Sequence, residues 1–111
     1  MDHKTVEEYI LSMPNSWLDH PFGESVAVYK TGPKDDAHMF ALITEGKDPV
    51  QLSVKCAPEL AIVLRETYDE VMPGYHLNKK HWNTIVLAGQ TPWDEVQGFI
   101  RHSYHLVAGT H

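Results

Sequence analysis

One stretch of this chain gathers side chains suited to meeting a polyanion. Pro73 to Leu87 reads Pro-Gly-Tyr-His-Leu-Asn-Lys-Lys-His-Trp-Asn-Thr-Ile-Val-Leu and contains no acid. Lys79 and Lys80 suit phosphates, the Trp82 indole offers a face to a base, and Asn78 suits a base edge. His76 and His81 flank the lysines. Lys55 joins the set, because an outward position at the end of a strand would bring a third charge to the patch. Lys30 and Lys34 are secondary candidates. The competing account is a structural turn. There Trp82 and Leu77 point inward, Asn78 caps backbone groups and the lysines are only solvated. The sequence leaves both accounts open.

Two other sets of reactive residues carry less. The chain has eight histidines, and His102 and His105 lie three apart where one helix face would hold both. No Cys pair, His-Glu-x-x-His or carboxylate at ligand spacing accompanies them, so surface histidines, no metal and no cofactor are expected. Cys56 precedes a helix start, where a thiolate is stabilised, and His76 or His81 nearby would make it a nucleophile. A lone cysteine after Val50, Leu52 and Val54 is more often packed and inert. No orienting acid or oxyanion device can be named, so no catalytic residue and no enzyme activity are expected.

The elements that must position these residues follow from pattern. Thr5-Val6-Glu7-Glu8 reads as a capping box opening a helix over Val6–Met13, with Val6, Tyr9, Ile10 and Met13 as its stripe. Pro14 to Gly23 reads as a loop whose Trp17, His20 and Phe22 plug a gap in the core. Val26–Thr31 and His38–Thr44 are strands separated by turn residues. Val50, Leu52 and Val54 alternate with Gln51, Ser53 and Lys55, giving a third strand. Pro58 opens a helix to Tyr68, with Leu60, Val63, Leu64 and Thr67 facing the core. Two strands around a Leu77–His81 turn fill Val71 to Leu87. The last helix spans Pro92–Val107 after a Thr91 cap, burying Val96, Phe99, Ile100, Ser103 and Val107. Gly98 inside it implies close packing, and Gly109 is placed to end it. The expectation is an α+β two-layer sandwich. Its antiparallel five-stranded sheet carries all helices on one face, in the order α-β-β-β-α-β-β-α. The other sheet face stays partly open.

Composition bounds the function. The 111 residues suit one domain, 1–111, and 42% of them are hydrophobic, which suits a packed core. No apolar run nears the ~18 residues of a membrane span, and the N-terminus lacks the apolar segment of a secretory signal. A single cysteine fits a reducing compartment, so a cytoplasmic location is expected. Fifteen acids against nine bases give a net charge of −6. A net acid repels nucleic acid at long range, so any such binding must be local, weak and sensitive to salt.

Lys55-Cys56-Ala57-Pro58-Glu59-Leu60 and Pro73-Gly74-Tyr75-His76-Leu77-Asn78-Lys79-Lys80-His81-Trp82-Asn83-Thr84 together resemble the MmcQ/YjbR family. The resemblance extends from Thr5-Val6-Glu7-Glu8 through the final helix and so covers the whole chain. It implies a fold like that of bacterial frataxin and secretion-chaperone domains. It also implies a DNA-binding role through a "double wing" surface, here Lys55 and His76 to Trp82. The alternative it allows is a protein-interaction module without nucleic-acid binding. A frataxin-like fold brings iron to mind, but Asp2, Glu7 and Glu8 are a thin supply of acids for it. Ala57 departs from the family, whose members often have Ser before this proline.

Overall fold

A computed structural model describes residues 1–108. The elements are α1 (His3–Leu11), β1 (Ser16–Asp19), β2 (Val26–Thr31), β3 (His38–Thr44), β4 (Val50–Lys55), α2 (Pro58–Thr67), β5 (Val71–Pro73), β6 (Trp82–Leu87) and α3 (Trp93–Ala108). The sheet is antiparallel with six strands in the order β1-β2-β3-β4-β6-β5. The expected five strands and α-β-β-β-α-β-β-α order are therefore corrected by one strand. Residues read as a loop form β1, which pairs Ser16 with Thr31 and Asp19 with Val28 at the sheet edge. Trp17 does not plug the core. Its indole N–H donates to the Gly32 carbonyl at 3.0 Å across the strand pair.

The first helix also starts earlier than expected. Asp2, not Thr5, is the cap, and its carboxylate accepts the Thr5 backbone N–H at 2.9 Å. An acid ahead of the first turn satisfies an orphan donor and meets the positive end of the helix dipole. Val6 and Ile10 are fully buried.

In α2 the buried stripe is rotated by one residue. Ala61 is buried and Leu64 packs on the core, whereas Leu60 and Val63 are 38% and 54% exposed. The helix packs mainly on β5 and β6, so its contact face is narrow. That face runs through Ala61, Leu64 and Arg65, and a charged residue on an inner stripe defeats hydrophobic periodicity. In α3 the expected buried residues hold, with Tyr104 added. Gly98 is not closely packed: a Cβ there would meet only the Arg101 guanidinium, at 3.6 Å. Gly109 lies outside the described residues.

The helices share one sheet face. Val6, Ile10, Tyr29, Phe40, Ile43, Leu52, Ile85, Phe99 and Ile100 form the core between the layers. Two buried polar groups stitch it. The register slips between Tyr29 and Lys30, leaving Phe40 of β3 without a β2 partner. The Ser103 hydroxyl donates to the Phe40 carbonyl at 2.6 Å and accepts the Lys55 N–H at 2.9 Å. Such a bulge frees a carbonyl that must be satisfied locally. Glu70, 7% exposed, accepts the N–H groups of Ala88, Gln90 and Thr91 and the Thr91 hydroxyl, at 2.6–3.1 Å. Thr91 thus serves Glu70 rather than capping α3. Burial alone would raise the Glu70 carboxyl, but hydrogen bonds from Thr91, Gln90 and Ala88 outweigh it and hold it below the ordinary glutamate value.

A candidate binding surface on the open sheet face

The face away from the helices is built by alternation. Cross-strand partners place Val28, Leu42, Ser53, Thr84 and Met72 in one row. A neighbouring row holds Lys30 beside Met39, and Lys55 beside Trp82. Residues 74–81 fold across one end of this face. Trp82 and Leu77 meet Val28, Leu42, Val26 and Met39 there in a second, small apolar cluster.

The 74–81 loop is held from three sides. Gly74 donates to the Trp82 carbonyl at 2.9 Å and sits so close that a Cβ would fall 2.7 Å from that of Trp82. Asn78 makes an Asx turn: its side-chain oxygen accepts the Lys80 N–H at 2.9 Å and its carbonyl the His81 N–H at 3.2 Å. From the helix side, Arg65 donates to the Asn83 side chain at 2.7 Å, to the Trp82 carbonyl at 3.3 Å and to the Lys79 carbonyl. The Cys56 N–H ties β4 to the His81 carbonyl at 2.7 Å.

The predicted residues divide into two groups. Trp82 is only 7% exposed and Asn78 is engaged within the turn, as the structural-turn account has it. The Lys79 ammonium donates to the Gly74 carbonyl at 3.0 Å, so it helps to shape the loop although the residue is exposed. Lys80 and His76 are exposed, and Lys55 and His81 half-buried. Lys55 lies across from Trp82 and next to the Cys56–His81 bond, so Lys55, Lys80 and His81 share one end of the sheet. Of the secondary candidates, Lys30 pairs with Asp19 at 3.0 Å. Lys30 and Lys34 both approach the Trp17 ring, at 5.5 and 5.6 Å.

Sequence reasoning missed three contributors. Arg65 gave no signal, since a helical arginine reads as solvated. Phe22 and Tyr75 are 66% and 57% exposed. With His76, Leu77, Val26, Met39, Leu42, Thr44 and Ser53 they line a concavity of about 310 Å³. Phe22 and His20 thus do not plug the core as expected, since both are exposed, and an aromatic between Pro21 and Gly23 is the readable sign of an exposed ring. His76 has a left-handed backbone, φ 58°, and its ring lies 4.0 Å from that of Tyr75.

Charge is divided between the layers. The helices carry six acids (Glu7, Glu8, Glu59, Glu66, Asp94, Glu95) and three bases (Lys4, Arg65, Arg101). The strands and the 74–81 loop carry Lys30, Lys55, Lys79 and Lys80 against Asp19 alone, while the turns between β1 and β4 are acidic, with Glu24, Asp35, Asp36, Glu45 and Asp48 against Lys34 and Lys47.

On the helix side, Cys56 and His102 line a cleft of about 280 Å³ between α2 and α3. Burial pushes the Cys56 thiol up, against a weaker opposing pull from Arg65. His102 is not the surface residue expected. Its Nε2 accepts the Ala57 N–H at 3.2 Å, so it is neutral there, and burial followed by nearby His105 lowers its pKa. Among the described residues no three His, Cys, Asp or Glu side chains converge on a metal position. No helix among them is long and apolar enough to cross a membrane.

Comparison with known proteins places this architecture. The YjbR family model matches residues 11–106. The uncharacterized protein YbdF of Escherichia coli O157:H7 is 30% identical over 105 residues, which is 95% of this chain and 83% of YbdF. The uncharacterized protein YjbR of Escherichia coli K12 is 38% identical over 66 residues, covering 60% of this chain and 56% of that protein. The crystal structure of Deinococcus radiodurans protein DR2400, domain DUF419, superposes with a TM-score of 0.90 at 36% identity, covering 95% of this chain and 77% of the other. A Pseudomonas syringae protein gives 0.80 at 27% identity, covering 96% and 99%. The match runs from the end of α1 into α3 and includes the whole 74–81 loop, so the chain belongs to the YjbR family.

Proposed function

We propose that this protein is a binding module rather than an enzyme, and that it takes a nucleic acid weakly on the open face of its sheet. The observation that carries this reading is the division of charge. The net charge of −6 opposes nucleic-acid binding only if it is spread evenly. Here the acid in excess sits on the helices and in the connecting turns, and the strands with the 74–81 loop carry an excess of lysine. Lys55 and Lys80 meet phosphates, Lys79 holds the loop and adds its charge, and His76 and His81 stand beside them. Trp82 and Asn78 serve the surface by shaping it.

Fluorescence anisotropy with a labelled oligonucleotide over a salt series tests the reading. Two to four phosphate contacts give a slope of log K against log salt of roughly −2 to −4. The dissociation constant at physiological salt should be no tighter than about 10⁻⁵ M. Lys55→Ala with Lys80→Ala should flatten the slope by about two without unfolding the domain. Lys79 is left in place because its ammonium holds the Gly74 carbonyl. Absence of binding even at low salt, or an unchanged slope in the double variant, refutes the reading.

The apolar concavity favours a second reading, in which the same face takes a segment of another protein through an apolar side chain. That reading moves ahead if nucleic acid fails to bind at low salt.

A further inference from the structure

We propose that the nucleic acid this face takes is single-stranded, with its bases stacked on Phe22, Tyr75 and His76; this rests on the nucleic-acid reading above. Phe22 and Tyr75 are the most exposed of the large hydrophobic side chains among the described residues. Their exposure is built in. The Tyr75 N–H is fixed to the Thr84 hydroxyl at 3.0 Å, and the next residue turns left-handed at φ 58°. Outside glycine that conformation is uncommon, and histidine is among the residues that tolerate it. The result is a Tyr75–His76 ring pair, 4.0 Å between centroids, on one wall of a concavity that Phe22 also lines.

The chemistry of the concavity selects the ligand. Its floor is Val26, Leu42 and Met39, with hydroxyls from Thr44 and Ser53, and no acid lines it. An apolar, aromatic hollow of about 310 Å³ suits the flat face of a nucleobase. In a duplex those faces are buried in the stack, and only base edges and phosphates remain to be touched. A single strand exposes them. The loop that supplies the aromatic wall also carries Lys79 and Lys80, so bases entering the hollow keep their phosphates beside the lysines. Base stacking on aromatic rings with lysines along the backbone is the common arrangement of single-strand binders.

The experiment compares a short labelled oligothymidylate with its duplex of equal length, by anisotropy at low salt. Single-strand binding should be at least about tenfold tighter, with a salt slope near −2 for three phosphate contacts at about 0.7 per phosphate. Phe22→Ala and Tyr75→Ala should each weaken it by about tenfold without changing that slope. A strand carrying 5-iodouridine should photo-cross-link within residues 20–24 or 73–81, mapped by mass spectrometry on the unaltered protein. Duplex bound as tightly as single strand, unaltered affinity in both alanine variants, or cross-links confined elsewhere overturns this proposal while leaving the nucleic-acid reading standing. Binding of neither form at low salt overturns both.

Discussion

Glu70 offers the sharpest test of how the fold is held together. Its carboxylate is almost fully buried and accepts four hydrogen bonds from the segment that leads into α3. In Glu70→Gln the amide oxygen can still serve Thr91, whose N–H and hydroxyl both meet Oε1 at 2.7 and 2.6 Å. The new NH₂ group then faces the N–H groups of Ala88 and Gln90, which approach the other oxygen at 3.0 and 3.1 Å. Donors face donors, and two backbone groups lose their acceptor. At about 1–3 kcal/mol for each buried donor left unsatisfied, with some relief from solvent, the loss should be about 2–4 kcal/mol. For a domain of this size that lowers Tm by roughly 10–20 °C. The pH dependence supplies an independent check. Because the folded-state carboxyl lies below its unfolded value, its contribution is complete above the ordinary value of 4.5 and is lost as pH falls through the folded value. The gap between wild type and Glu70→Gln should therefore close in acid. Urea unfolding followed by circular dichroism, at neutral pH and across the acid range, measures both. A loss below about 0.5 kcal/mol, or a gap that widens in acid, would show that Glu70 is not the clamp inferred from its geometry.

Three further outcomes are expected. Gly98→Ala should stabilise the protein by about 0.5–1 kcal/mol, since nothing crowds the added methyl and alanine favours the helix; urea unfolding reads it. Gly74→Ala should destabilise by about 1–3 kcal/mol, because its Cβ would press on Trp82 and Leu77, and the near-ultraviolet tryptophan signal should change with it. His102→Ala should cost about 1 kcal/mol at pH 7.5 by orphaning the Ala57 N–H. His102 is held below its ordinary 6.5, so its contribution is complete above that value and is lost as pH falls through the lowered folded value. The wild type should thus lose more stability than His102→Ala on acidification through that range, and parallel pH profiles would contradict the assignment.

What the sequence disclosed and what it hid have physical reasons. Strands β2, β3 and β4 matched expectation because they are flanked by turn residues, with clear alternation in β4. Ser16–Asp19 is too short to show a period, and it becomes a strand only because β2 offers it an edge. The inner face of α2 was misread because Arg65 belongs to it, and apolar counting then favoured Leu60 and Val63. In the 73–87 stretch the same letters fitted a ligand surface and a structural turn. What divides them is contact with distant residues: Arg65 braces the loop from behind, and Val28 and Leu42 receive Trp82. Nothing in the sequence marked Glu70, because its donors lie beyond β6.

The residues that shape the 74–81 loop are largely not those it displays. Gly74, Asn78, Trp82 and Arg65 set its path, whereas Tyr75, His76 and Lys80 project from it. Exchange of the Tyr75 and Lys80 side chains leaves the first group untouched, so the displayed surface can change while the scaffold stands still. The loop behaves as a cassette mounted on a fixed frame. Two proteins that superpose as closely as this one and its Deinococcus radiodurans relative can therefore differ in the surface they display. The side chains at positions 75, 76 and 80 are a better guide to that than the superposition.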